Sequence, residues 1–221
     1  MIAEELINQM IPPLKFYDTV DKALRWMDEF RVNELPVSRN RKYMGLATET
    51  NLIELPDRNQ TLEHVPLDFQ DVFVMHHQHF YDVMEAAIKN KIQVVPVLDE
   101  EQDYMGIITI NDTLAAFGQM SALQGQGSIL VLTMPERDYS LGQISRLIEE
   151  ENAKILSAYV SPDEVDPYNI KLTLKLNTSD LTRIIATLER FEYRVTAQFQ
   201  DASKYDVGRD RLDMLFKYLD I

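Results

Sequence analysis

The chain has 221 residues, 45% hydrophobic and 26% charged, with a formal net charge of −14 and no cysteine. That length builds one or two domains with their own cores. The acidity excludes a nucleic-acid or anionic-membrane surface, each of which needs a basic patch, and the missing cysteines exclude disulfides, thiolate metal sites and thiol nucleophiles. No run reaches the roughly 20 apolar residues of a transmembrane helix. The opening Met1-Ile-Ala-Glu-Glu-Leu6 lacks the basic leader of a signal peptide, so a cytoplasmic protein is expected.

From the start, the pattern predicts an extended lead-in at 13–17 and a helix over 19–31. Asp18-Thr19 caps that helix, and Val20, Ala23, Leu24 and Met27 form its apolar stripe. A strand follows at 34–38 through Leu35-Pro36-Val37, then a polar turn at 39–42, a strand at 43–48 and a helix at 49–55. Sixty positions on, the order repeats: a lead-in at 72–76, then a helix over 79–90 with Phe80, Val83, Met84 and Ala87. Next come a strand at 93–98 through Val95-Pro96-Val97, a turn at 99–103, a strand at 104–109 and a helix at 110–123. Gln78-His79 is a weaker cap than its counterpart. The second turn is one residue longer, so the offset becomes sixty-one, as an insertion in a genuine tandem repeat would make it. Pro36 and Pro96 are expected at a strand edge or a bulge.

Each copy closes on a glycine motif: Gly45-Leu-Ala-Thr48-Glu49-Thr-Asn51 and Gly106-Ile-Ile-Thr109-Ile-Asn-Asp112. A hydroxyl and free backbone N–H groups at a helix start suit a phosphate. A carboxylate one turn on can accept from two ribose hydroxyls. The same Thr109 and Asp112 could serve only to cap the helix, since both residue types cap well.

The doubled motif resembles a tandem pair of cystathionine-β-synthase-type (CBS) domains across about residues 3–122. The resemblance implies two repeats packed as one pseudo-symmetric module whose clefts hold an adenosine-containing ligand: AMP, ADP, ATP or S-adenosylmethionine, with Mg²⁺ beside a polyphosphate. Thr109 would then approach phosphate and Asp112 the ribose, with Val95 and Pro96 lining the cleft. The first copy keeps Thr48 and Pro36 but has Asn51 in place of the carboxylate, and Glu49 and Glu54 lie near. Its site is expected to be weak or empty.

Residues 123–127 read as a Gly-rich linker between a repeat module at 1–122 (copies at about 3–60 and 61–122) and a second domain at 128–200. That domain reads β-α-β-β-α-β: strands at 128–134, 153–161, 168–176 and 193–199. Ser140 caps the first helix and Ser179 or Thr178 the second. The order is that of a ferredoxin-like α+β fold, and it resembles an ACT domain, a module that often binds amino acids at a dimer interface. The resemblance would put such a site at Asp138, Leu141 and Gly142. A CBS pair followed by an ACT-like domain is similar in architecture to the acetoin-utilisation family. Residues 201–221 carry Leu212, Leu215, Phe216 and Leu219 at helical spacing, as a terminal helical tail.

His76, His77 and His79 are the only clustered imidazoles. On a strand His77 and His79 would share a face without His76, no fourth ligand has suitable spacing, and no metal site is expected. Without a nucleophile in a recognisable His/Asp setting or a Gly-Lys-Ser/Thr string, no catalytic residues are expected. The sequence therefore points to a non-enzymatic regulatory homodimer, sensing an adenosine compound and coupled to a partner enzyme. The alternatives are a dimerising scaffold without a small ligand, or an amino-acid sensor acting through the ACT-like part.

Overall fold

The computed structural model describes residues 1–119 and 126–200. They fall into two compact units, one ending at Gln119. The expected tail at 201–221 and most of the linker lie outside the described residues.

The first unit opens with a 3-10 turn, Ala3–Leu6, followed by two copies of one pattern. Copy one is β1 (Leu14–Lys15), α1 (Val20–Phe30), β2 (Glu34–Arg39), β3 (Lys42–Thr48) and α2 (Glu49–Ile53). Copy two is β4 (Val74–Met75), α3 (Phe80–Asn90), β5 (Val94–Leu98), β6 (Tyr104–Thr109) and α4 (Ile110–Gly118). Each copy makes a three-stranded sheet, β1-β2-β3 or β4-β5-β6. The short first strand is parallel to the middle one, and the hairpin is antiparallel. The Thr19 hydroxyl accepts from the Lys22 N–H to start α1, and Arg31 ends it at φ 56°; Lys91 ends α3 at the same angle. Buried residues of both copies, from Ala3 to Ile108, form one continuous core. Neither copy has a hydrophobic interior of its own.

The lead-ins hold strands of two residues each, within the expected ranges. Two expectations are corrected here. Met84, expected in the buried stripe of α3, is 37% exposed, because Phe80, Val83 and Ala87 already fill that helix's inward face. Pro36 and Pro96 sit in the middle strands, not at an edge. β1 pairs with Val37 and Ser38 only, and β4 with Val97 and Leu98 only. Each proline therefore lies just short of the third strand, where its missing N–H has no partner to lose, and a register shift follows in both copies.

The second unit runs β7 (Ser128–Pro135), a 3-10 turn, α5 (Leu141–Glu150), β8 (Ile155–Pro162), β9 (Asn169–Leu176), α6 (Thr182–Arg190) and β10 (Arg194–Phe199). Its one sheet has the order β10-β7-β9-β8, with every neighbouring pair antiparallel. Each helix thus connects two parallel strands that have a third between them. Leu130, Leu132 and Met134 of β7 and Leu172, Leu174 and Leu176 of β9 face one core with Ile144, Leu147 and Ile148 of α5 and Ile184 and Leu188 of α6. Ser140 caps α5 by accepting from the Gln143 N–H. For α6 the expected cap is absent: Leu181 precedes the helix without a side-chain cap bond, and Asp180 Oδ1 accepts from the Thr182 N–H at 2.9 Å in the turn that leads in. Thr178 instead turns the chain by accepting from the Asp180 N–H, and the Ser179 carbonyl accepts from the Ser128 hydroxyl. No helix among the described residues is long and apolar enough to cross a membrane.

Candidate functional site

The two glycine motifs end β3 and β6 and start α2 and α4, and the chain just ahead of the other copy's first strand crosses each of them. Asn8 makes an antiparallel bridge to Ile107, its N–H donating to the Ile107 carbonyl at 2.8 Å. Asp68 bridges Leu46, with N–H to carbonyl bonds of 2.7 and 2.9 Å in the two directions. The motif glycines make these crossings possible. A Cβ at Gly106 would stand 2.5 Å from Ile7 Cγ2, and one at Gly45, whose φ is +135°, would stand 2.8 Å from the Asp68 carbonyl oxygen.

At the copy-two motif Thr109 and Asp112 form a capping box. Thr109 Oγ1 accepts from the Asp112 N–H at 3.0 Å, and Asp112 Oδ2 accepts from the Thr109 N–H at 2.9 Å and its hydroxyl at 2.6 Å. Asn8 Nδ2 donates to both carboxylate oxygens at 3.2 Å. Asp112 also lines a cavity of about 400 Å³ with Met1, Glu5, Leu6, Ile7, Ala115, Ala116 and Gln119. Of the four residues expected there, Asp112 alone lines it. Thr109 is 8% exposed, and Val95 and Pro96 are buried in the middle strand β5.

The copy-one motif is the mirror in polarity. Thr48 Oγ1 donates to Asp68 Oδ2 at 2.8 Å, and Asn51 Nδ2 donates to the same oxygen at 2.6 Å. Pro36 is buried in β2. The carboxylate missing from position 51 is thus supplied by Asp68, and the amide that faces Asp112 comes from Asn8. Each motif holds one carboxylate and one amide, with the donor copies exchanged. Sequence reasoning missed Asn8 and Asp68; their signal was the same sixty-residue offset, with polarity opposite to that of positions 112 and 51.

Glu34 was also missed. It is 8% exposed, and its Oε2 accepts from the Gln93 N–H at 3.1 Å, while Gln93 Oε1 accepts from the Asn33 N–H. Burial pushes its carboxyl pKa up, the Gln93 N–H opposes that, and the nearby Glu49 adds to it.

In the second unit a cleft of about 740 Å³ is lined by Asp138, Tyr139, Ser140, Gln143, Glu192 and Arg194, among others. Leu141 and Gly142 lie outside that lining, exposed on the first turn of α5. A Cβ added at Gly142 would meet nothing within 4 Å, so the backbone there does not demand glycine.

A glycine motif that admits a crossing strand and closes on a Thr/Asp capping box is thus present in the second copy. Residues 69–118 match the family model of the CBS domain. Copy one repeats the elements of the matched segment in the same order around the same core. Among curated proteins, inosine-5'-monophosphate dehydrogenase of Methanocaldococcus jannaschii is 23% identical over 150 residues, 67% of this chain. The chain spans 30% of the length of that relative. Among solved structures, a CBS domain pair/ACT domain protein from Thermotoga maritima is 23% identical with a TM-score of 0.49; the match covers 53% of this chain and 96% of that one. CBSX2 in complex with AMP is 20% identical with a TM-score of 0.47, covering 54% and 98%.

Proposed function

We propose that the first unit is a CBS pair that senses an adenosine-containing ligand (AMP, ADP, ATP or S-adenosylmethionine, with Mg²⁺ beside a polyphosphate) in a non-enzymatic regulatory protein. In this reading the signal passes to the second unit as an ACT-like, ferredoxin-like domain within a cytoplasmic homodimer of the acetoin-utilisation type, which acts on a partner enzyme. The observation that carries it is Asp112: a carboxylate at the start of α4, on the rim of a cavity, within a matched CBS domain. A ribose diol would take the place of the Asn8 amide on that carboxylate. Asn8 is then a built-in competitor, and binding would displace its amide from the carboxylate. A ligand shifts such an arrangement only by its differential affinity for the two states.

Calorimetric titration with AMP, ATP and S-adenosylmethionine tests this on the parent, Asn8→Ala and Asp112→Ala. A hydrogen bond to a charged group contributes about 1.5–3 kcal/mol. Asn8→Ala is therefore expected to tighten binding roughly 10- to 100-fold, and Asp112→Ala to abolish it. Equal heats for all three proteins remove Asp112 from the site.

A second reading, the dimerising scaffold, is favoured by one surface. Tyr81, Met84 and Ile88 of α3 and Leu114 and Phe117 of α4 are exposed apolar side chains, and Met84, Ile88, Leu114 and Phe117 share a groove of about 260 Å³. A flat calorimetric response to every adenosine compound would leave this face, a fit for a second copy, as the functional one. Amino-acid sensing through the second unit has support only from Asp138 in its cleft.

A further inference from the structure

The three clustered histidines do not lie on a strand. β4 ends at Met75, and residues 76–79 turn back toward α3. In that turn the His76 N–H donates to the Leu98 carbonyl at 2.9 Å, which seats the turn beside the β5–β6 hairpin tip carrying Glu100. His79 is withdrawn from the group: its Nδ1 accepts from the Tyr81 N–H and caps α3. His76 and His77 instead face each other edge-to-face, with ring centroids 5.2 Å apart. One ligand atom each from His76, His77 and Glu100 lie within 4.8 Å of one another.

His76 is held from two sides. Its Nδ1 lies 3.4 Å from Glu4 Oε2. Its Nε2 is shielded from solvent, 3.2 Å from Glu100 Oε1, without the geometry of a hydrogen bond. Glu4 is fixed in place because its own N–H donates to the His76 carbonyl at 3.0 Å. A buried imidazole nitrogen beside a carboxylate, with the other nitrogen turned to a second carboxylate, is the arrangement in which a metal-bound histidine is oriented by an outer acidic group.

We propose that His76, His77 and Glu100 form a site for a divalent transition-metal cation of the zinc type, with Glu4 as the outer carboxylate that orients His76. Two imidazoles and one carboxylate are a donor set for zinc, at roughly 2.0–2.2 Å from each donor, with a fourth position for water. His77 and Glu100 are exposed side chains and can close from their present spacing onto one ion by rotation. The strongly acidic chain draws cations toward it. The site lies where β6 begins, whereas Thr109 ends that strand. It therefore stands apart from the adenosyl cleft, sharing with it only the N-terminal segment that carries Glu4, and its test does not rest on that reading.

The test is a titration of the metal-free full chain with Co²⁺, followed by visible absorption, and with Zn²⁺ by competition. One equivalent per chain should bind and give the intense bands of low-coordinate cobalt. His77→Ala, which leaves the Glu4–His76–Glu100 contacts in place, should weaken binding at least tenfold. Glu4→Gln should weaken it roughly 10- to 100-fold, as loss of an outer partner does. Equal binding by the parent and His77→Ala, or the absence of cobalt bands, overturns the site. Equal binding by Glu4→Gln overturns the role given to Glu4. Circular dichroism verifies that each variant is folded.

Discussion

Two tyrosines at equivalent positions have opposite fates. The Tyr43 hydroxyl donates to the Phe69 carbonyl at 2.8 Å, whereas the Tyr104 hydroxyl is buried with no hydrogen-bond partner among the described residues. Burial pushes both phenol pKa values up. Tyr43→Phe should cost about 0.5–1.5 kcal/mol, the usual net worth of a hydrogen bond, whereas Tyr104→Phe should be neutral or stabilising. Urea denaturation midpoints of the two variants check this. Glu34 gives a pH prediction. Its folded pKa lies above 4.5, so between 4.5 and the raised value the folded chain holds a proton that the unfolded chain has released. Stability therefore falls as pH rises through that window and stays lower above it. Glu34→Gln keeps an acceptor for the Gln93 N–H without the charge. It should melt higher than the parent at neutral pH, with the gap closing as pH falls below 4.5. At this scale the Thr109–Asp112 pair was readable, because its members are three apart. Asn8 and Asp68 were not, since Asn8 meets Asp112 across 104 positions and only the folded pair brings them together. Glu100 and Glu4 escaped for the same reason: a search by spacing around His76 cannot reach an acid 72 residues away.

Helices and hairpins were largely visible in the sequence, because their causes are local. Thr19, Ser140 and Thr109 all cap the helices that their side chains announced. The lead-ins are short extended pieces of which two residues pair with the middle strand, and the chain just before each of them, at Asn8 and Asp68, crosses the other copy's motif. Proline, expected at an edge or a bulge, sits in a middle strand one residue before a register shift, because its constraint depends on where a neighbouring strand starts. The crossing also explains why each motif opens with glycine. Gly45→Ala would force an L side chain into φ +135° against the Asp68 carbonyl. The strain alone costs about 1–3 kcal/mol, and the clash would lift the 67–68 segment off β3. A drop in thermal midpoint, with hydrogen exchange at the Leu46 and Asp68 amides rising together, is the expected result.

At the scale of the molecule the duplication was the clearest message of the sequence, since a fixed offset needs no knowledge of contacts. What it left open was how the copies hold each other. The structure answers with a shared core and two crossing segments, so that the first ten residues belong functionally to copy two and residues 67–68 to copy one. The second unit announced its order of elements equally well, because alternation on β9 and helical stripes on α5 and α6 are one-dimensional signals. Its cleft was less legible, since the residues that line it come from 133–143, Asn169 and 191–194, far apart in the chain.

The exchange of an amide for a carboxylate between the two crossings has a consequence for self-recognition. If copy two of one chain paired with copy two of a neighbouring chain in the same manner, Asp68 of one would come to rest on Asp112 of the other. Two carboxylates would then contend for the same donors, and one of them would have to take up a proton. Two first copies would oppose Asn8 to Asn51, an uncharged and weaker match. Only the unlike halves satisfy both crossings, so the sequence tells each repeat which mate is its own.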